Sequence, residues 1–182
     1  MNKLIILCIA LILVQGVNGQ RFMSKNAYVK FYSYTPLEKI EAVNNTAACV
    51  IDVATGNVEL SALNTSFQFK KALMQQHFNE NYMESSKFPK ARFKGKIIDM
   101  SKVSFYKPGT YKVEVAGELN MHGVSKPVTV PAVLTVKDNT TIMGEAKFNI
   151  KPEDYEVKIP SLVKDNIAKE IEVTCKAELK KV

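Results

Sequence analysis

Apolar and polar residues alternate along most of this chain, and the alternation is longest in residues 111–136. One face of this stretch carries mainly apolar side chains, at Tyr111, Val113, Val115, Gly117 and Leu119 and then at Val128, Val130, Ala132, Leu134 and Val136. A period of two predicts strands that bury one face. Residues 122–127, between the two runs, predict a hairpin turn, because Gly123 accepts a positive φ and Pro127 suits a strand edge.

Shorter alternating runs predict strands along the rest of the chain. They cover residues 22–24, 27–32, 47–53, 58–60, 92–100, 141–150 and 171–180. After Pro36, residues 37–43 are predicted to form one or two helical turns. The pattern up to residue 60 is that of a β-meander with a turn at 54–57.

The period changes to that of a helix after residue 70. Met74, Phe78 and Tyr82 are spaced by four, and polar residues occupy the opposite face. This pattern predicts an amphipathic helix of about three turns. The helix must end before Pro89, because proline disfavours helical geometry in the preceding residue.

These elements predict an all-β protein with one or two short helices, arranged as an antiparallel barrel of about eight strands. Closure would remove the exposed strand edges that favour aggregation. A sandwich of two sheets has the same periodicity and remains the structural alternative. The single helix is expected to plug or cover an opening of the barrel.

Residues 1–19 have the pattern of a secretory signal peptide. Lys3 precedes an apolar run, and small residues follow up to Gly19, after which cleavage is expected. The run is shorter than the ~20 apolar residues of a membrane-spanning helix. Residues 20–182 are then expected to form one exported domain, and Cys8 would leave with the signal peptide.

The net charge of +7 at pH 7 is spread over the chain, and its longest lysine runs are the pairs at 70–71 and 180–181. A nucleic-acid-binding protein usually gathers such charge into a stripe, so no nucleic-acid partner is expected. The lysines indicate a solvated basic surface, with transient contact to a membrane surface as the alternative.

Cys49 and Cys175 remain after cleavage, and both fall in predicted strands. An exported location permits a disulfide between them. Two buried thiols that pack as small apolar residues are the equal alternative. No metal site is expected, because neither cysteine belongs to a Cys-x-x-Cys pair or a histidine cluster.

The sequence offers little for catalysis. His77 and His122 are its only histidines, and no nucleophile elbow or phosphate-binding glycine loop accompanies them. Glu153 and Asp154 are adjacent, so on a strand they would point to opposite faces. No catalytic residue and no cofactor is therefore predicted.

The sequence Gly-Glu-Leu-Asn-Met-His-Gly-Val-Ser-Lys-Pro-Val at 117–128 resembles the YceI-like family of bacterial proteins. That family carries Gly-x-Leu-Thr-x-His-Gly-Val-Thr/Ser-Lys-Pro-Val in this context. His77-Phe78, Lys87-Phe88-Pro89 and residues 91–93 resemble further family motifs. In residues 150–157 the match is partial, because Pro152 stands in place of an arginine and Glu156 in place of a glycine.

The resemblance implies an exported, periplasmic, lipocalin-like barrel that holds a polyisoprenoid, a quinone or a related amphiphile, and it brings no catalytic residues. Candidate lining residues, taken from the apolar faces and the helix, are Phe31, Phe69, Met74, Phe78, Tyr82, Phe93, Val113, Val115, Phe148 and Val173. Tyr82, Tyr155 and His122 are candidates for contact with a headgroup.

Two other functions remain open on the sequence. A barrel filled by its own side chains would act as an interaction or stress-response module. A lipid-modifying enzyme would need polar groups inside the barrel near His77 or His122. The oligomeric state is also open, with a homodimer among the options.

Overall fold

The computed structural model describes residues 20–182, so the predicted signal peptide and Cys8 lie outside the described residues. Within that range the strands are β1 (Arg21–Tyr34), β2 (Lys39–Asp52), β3 (Asn57–Leu63), β4 (Gln68–Phe69), β5 (Lys90–Ile97), β6 (Gly109–Met121), β7 (Val124–Val136), β8 (Thr141–Ile150) and β9 (Ile171–Lys181). Helix α1 (Ala72–His77) continues as a π-helical turn, Phe78–Tyr82. Short 3₁₀ turns lie at Asn64–Ser66, Met100–Lys102, Pro152–Tyr155 and Ser161–Asn166.

Eight of these strands close into an antiparallel barrel in the order β1-β9-β8-β7-β6-β5-β3-β2, and β2 pairs with β1 to complete the ring. The two-residue strand β4 pairs with the outer part of β2. The predicted antiparallel barrel is confirmed. The sandwich alternative is wrong, because β1 pairs with β2 along one edge and with β9 along the other.

The antiparallel order gives the barrel two different ends. β1 begins at the first end, which also holds the β2–β3, β5–β6 and β7–β8 connections, and we call it the closed end. The second end, the open end, holds the β1–β2 and β6–β7 turns. It also holds the segment from β3 to β5 that contains α1, and the β8–β9 connection, residues 151–170.

Large apolar side chains fill the closed end. The buried residues there include Phe22, Val53, Phe105, Val136, Ile142 and Leu179. Phe22, Ile142 and Leu179 are almost completely removed from solvent, and each such side chain stabilises the fold by about 1.5–3 kcal/mol through burial. These side chains close one end of the barrel, while smaller buried residues such as Ala42 and Ala62 continue along the wall towards the other end.

The β6–β7 hairpin is tighter than the sequence predicts. Its turn consists of His122 and Gly123 alone, with φ of 52° and 80°. Positive φ at both central residues is the type I′ geometry that matches the twist of the flanking strands. Pro127 lies within β7 opposite Glu118, in the part of β7 that has only β6 as a neighbour.

Two other local predictions are wrong. Residues 37–43 are not helical, because β2 begins at Lys39 and pairs with β1 and β4. Residues 22–24 and 27–32 do not form separate strands but belong to β1. The register of β1 shifts between Ser24 and Ala27 and again before Val29, so bulges bend one long strand where the sequence predicts a break.

Candidate functional site

An apolar cavity of about 520 Å³ occupies the barrel above the closed-end core, and all nine strands contribute to its wall. Its lining extends from Ile97 and Leu179 near the closed end to Glu38, Lys71 and Asn166 at the open end. The inward positions of the strands are mostly apolar, because the alternation in the sequence places every second side chain inside. The volume falls in the usual range of ligand pockets, about 300–1,000 Å³.

Most of the side chains predicted to line an interior cavity face this space. The lining includes Phe31, Phe69, Met74, Phe78, Tyr82, Phe93, Val115, Phe148 and Val173. Val113 is buried in the core but is not among the lining residues.

Four phenylalanine rings meet at the helix end of the cavity. Phe78 projects from the π-helical turn onto Phe31, Phe67 and Phe69, with ring centroids 5.1–5.7 Å apart. Phe78 stacks on Phe31 and meets Phe67 edge-on and Phe69 at a tilt, and such contacts stabilise aromatic clusters. The helical segment thus covers the opening, as its single amphipathic stripe predicts. Phe67 is not among the predicted lining residues. Its spacing of two from Phe69 could have identified it, because residues two apart on a strand share a face.

The barrel wall is incomplete between β7 and β8. These strands pair only from Ala132–Ala146 to Val136–Ile142 near the closed end, so they separate towards the open end. The β8–β9 connection continues the wall there and contributes Pro152, Val157, Ile159, Val163 and Ile167 to the lining. The sequence did not identify these side chains, because a connection of 3₁₀ turns has no regular period.

Polar groups are gathered where the cavity reaches the open end. The Glu38 carboxylate lies 3.7 Å from Lys71 Nζ and accepts a 3.3 Å hydrogen bond from Asn166 Nδ2. It therefore joins the β1–β2 turn to the start of α1 and to the β8–β9 connection. Burial, with a smaller effect from the nearby Glu38 charge, raises the pKa of Tyr82. A neutral tyrosine hydroxyl at this position can donate or accept one hydrogen bond.

His122 fixes the other side of the open end. Its Nε2 lies 2.8 Å from Glu84 Oε2, and its Nδ1 lies 3.1 Å from the Tyr155 carbonyl oxygen. The Phe88 ring packs edge-on against the imidazole at 4.8 Å. These contacts, which we call the His122 clasp, join the hairpin turn to the segment after α1 and to the β8–β9 connection.

The predicted headgroup candidates are thus divided by the structure. Tyr82 lines the cavity, whereas His122 and Tyr155 do not. Tyr155 is buried, and burial followed by the Asp154 charge raises its pKa. Glu156, which stands in place of the family's glycine, has a φ of 56°, so this position keeps the left-handed conformation that glycine favours.

Cys49 and Cys175 are free thiols, and both line the cavity. Burial raises the pKa of each to about 12, and for Cys175 the neighbouring Cys49 adds to the shift. Because the thiolate is the reactive form, neither side chain is a nucleophile near neutral pH.

Within residues 20–182 no group of three or more histidine, cysteine, aspartate or glutamate side chains is placed to hold a metal ion. Among the helices of the same residues, none is long and apolar enough to cross a bilayer.

The family model of the YceI-like domain matches residues 23–179. A UPF0312 protein of Vibrio parahaemolyticus is 28% identical over 96 residues, which are 52% of this chain and 47% of that protein. The match thus spans about half the length of this curated relative.

Solved structures share the fold at low sequence identity. A polyisoprenoid-binding domain from Saccharophagus degradans, implicated in plant cell wall breakdown, superposes with a TM-score of 0.78 at 16% identity, covering 89% of this chain and 98% of that one. BcnA of Burkholderia cenocepacia gives 0.67 at 19% identity, covering 84% and 95%. The YCEI protein of Campylobacter jejuni gives 0.57 at 18% identity, covering 75% and 81%. With the family model matching nearly the whole described chain, the protein belongs to the YceI-like family.

Proposed function

We propose that this protein binds and carries a long hydrophobic chain, such as a polyisoprenoid or the tail of a quinone, inside its barrel. The observation that carries the proposal is the 520 Å³ cavity, whose lining side chains are mostly apolar. Burial of a hydrocarbon chain contributes about 0.8 kcal/mol per methylene. A long chain therefore needs few polar contacts to bind tightly. The shared fold with a polyisoprenoid-binding domain agrees with this assignment.

The cavity favours a carrier over an interaction module with a filled barrel, because about 520 Å³ remains open between the closed-end side chains and the phenylalanine cluster. A role in binding without catalysis is supported by the contacts that already engage Glu38 at the cavity mouth and His122 outside the cavity lining. Glu38 is held by Lys71 and Asn166, and His122 by Glu84 and Tyr155. The two thiols are held in the protonated form by burial.

We also propose that residues 1–19 direct export and that the carrier works in the periplasm. The charged, apolar and small-residue regions of this segment support the proposal. Amino-terminal sequencing of protein from a periplasmic fraction should begin at Gln20. A chain that starts at Met1 and stays in the cytoplasm would contradict it.

The carrier proposal is tested by titration with a C40 prenol and with a menaquinone. Phe78→Glu places a charge in the phenylalanine cluster, so we expect a loss of binding of at least about tenfold, since an unpaired charge is costly in an apolar site. Ile98→Glu is the matched control, because Ile98 is 58% exposed at the closed end. Circular dichroism checks that both variants are folded. Equal binding by wild type and Phe78→Glu would contradict the proposal.

A further inference from the structure

The open end of the barrel carries exposed apolar side chains around the mouth of the cavity. Leu37 in the β1–β2 turn is 70% exposed, and Leu162 in the β8–β9 connection is 97% exposed. Leu73 at the start of α1 is exposed and also lines the cavity. Apolar surface therefore continues from the cavity wall to the outside of the protein.

The Glu38 contacts hold these three segments together. Glu38 follows Leu37 in the chain. It pairs with Lys71, two residues before Leu73, and accepts a hydrogen bond from Asn166, four residues after Leu162. The Ala168 amide donates a 2.8 Å hydrogen bond to Ser33 Oγ, which fixes the same connection to β1. The three leucines therefore project from one braced surface, which we call the rim: residues 34–39, 70–73 and 158–166.

The charges of the rim favour an anionic partner. It contains five lysines, at positions 39, 70, 71, 158 and 164, against two acidic residues, Glu38 and Asp165. Glu38 and Lys71 pair with each other, which leaves four lysines against Asp165. Tyr34 is exposed beside the mouth, and Lys39 Nζ lies 5.6 Å from its ring centroid. Leucines that enter the acyl boundary, with tyrosine and lysine at headgroup level, are the composition of an interfacial membrane contact.

We propose that the rim docks the open end of the barrel on the surface of an anionic phospholipid bilayer. Leu37, Leu73 and Leu162 enter the interface, and the lysines lie among the headgroups. In this orientation the cavity mouth faces the bilayer, so a hydrophobic chain passes between the two without crossing water. The inference goes beyond the carrier proposal and does not depend on which chain the cavity holds.

The test is sedimentation with vesicles of phosphatidylethanolamine and phosphatidylglycerol, and with vesicles of phosphatidylcholine. Wild type should bind the anionic vesicles and lose binding as salt is added, because salt screens the surface charge. Leu37→Asp/Leu162→Asp should lose at least about tenfold in partitioning. Lys70→Ala/Lys164→Ala should lose about fivefold per lysine on anionic vesicles only.

Ile98→Asp/Tyr106→Asp is the matched control, because both residues are exposed at the closed end. It should bind vesicles as wild type does. Neither Leu37 nor Leu162 lines the cavity. Leu37→Asp/Leu162→Asp should therefore bind a C40 prenol as wild type does in the absence of vesicles. This readout separates failure of docking from failure of the carrier proposal and reports an intact fold.

A fluorescence experiment locates the contact directly, since the chain contains no tryptophan. In Leu162→Trp the single indole should shift to the blue and be quenched by brominated lipids, whereas in Ile98→Trp it should not. Three results would overturn docking through the rim. Wild type would fail to bind anionic vesicles, or would bind phosphatidylcholine vesicles equally well, or only the closed-end variant Ile98→Asp/Tyr106→Asp would lose vesicle binding.

Discussion

At the scale of single residues, Gly95 and Gly117 allow β5 and β6 to come unusually close. They are register partners, and a Cβ added at Gly117 would collide with the Lys94 carbonyl oxygen and the Gly95 Cα. Both are backbone atoms, which cannot change rotamer to relieve the clash as a side chain can. Glycine therefore occupies a position where the two backbones leave no room for a Cβ, as it does at other close backbone approaches in strands.

Gly117→Ala is therefore expected to destabilise the protein by about 1–3 kcal/mol, the usual cost of overpacking. Urea unfolding measures this loss. Gly144→Ala is the matched control, because its added Cβ would meet Leu134 and Leu179 at an ordinary 3.6 Å. Equal stabilities for the two variants would show that the β5–β6 contact is looser than described.

The two cavity thiols predict a specific effect of alkaline pH. A thiol has an ordinary pKa of 9.0, whereas burial raises the pKa of Cys49 and Cys175 to about 12. Between these values the folded state binds more protons than the unfolded state. The thiols' contribution to stability is thus complete below pH 9 and declines as the pH rises towards 12.

Cys49→Ala/Cys175→Ala should therefore have a shallower loss of stability between pH 9 and 12 than wild type, measured by urea unfolding under reducing conditions. Tyrosine and lysine titrate in both proteins, so the difference between the two slopes isolates the thiols. Parallel slopes would contradict the burial of these side chains.

At the scale of elements, the His122 clasp joins three connections that the strands alone do not order. We expect His122→Ala to lower the free energy of unfolding by about 1–3 kcal/mol, because it removes two hydrogen bonds at a partly buried site. Hydrogen exchange should become faster in residues 72–82 and 152–155, while the strand amides of the closed end remain protected.

Asp99→Asn is the control for the clasp, since Asp99 makes its hydrogen bonds to Ser101 in the β5–β6 connection at the other end. It should leave exchange at the open end unchanged. Exchange that rises evenly over the whole barrel in His122→Ala would contradict a local role for the clasp.

Elements with a long run of alternating apolar and polar residues were predictable, and elements decided by distant contacts were not. β6, β7, β8 and β9 follow alternations of ten or more residues, so their faces were evident from the sequence. Residues 37–43 were misread as helical, because Leu37, Ile40 and Val43 have helical spacing over a short span. Pairing of β2 with β1 decides the local structure there.

The cavity lining was likewise predictable only in part. The strand and helix residues of the lining were predictable from period alone, because each lies on a regular apolar face. The lining from the β8–β9 connection was not, since its turns have no period. The role of His122 depends on Glu84 and Tyr155, 38 and 33 residues away, and no local pattern specifies such contacts.

At the scale of the whole molecule, one barrel divides its interior between stability and binding. The closed end is packed with large side chains, and the cavity above it reaches the open end beneath the helical segment. The same alternation of residues produces both regions. The difference arises from the Phe22, Phe105, Ile142 and Leu179 side chains that fill the closed end. A hollow barrel is less stable than a filled one of equal size, because its lining atoms lack partners.

The most direct test of the carrier account is native mass spectrometry of protein produced in its own host and purified without detergent. We predict a discrete added mass that organic solvent extracts and that has the composition of a long hydrophobic chain. Loss of that mass in Phe78→Glu, with the barrel still folded, would place the chain in the cavity. A bare protein mass that neither prenols nor quinones shift, with no change in melting temperature, would contradict the account.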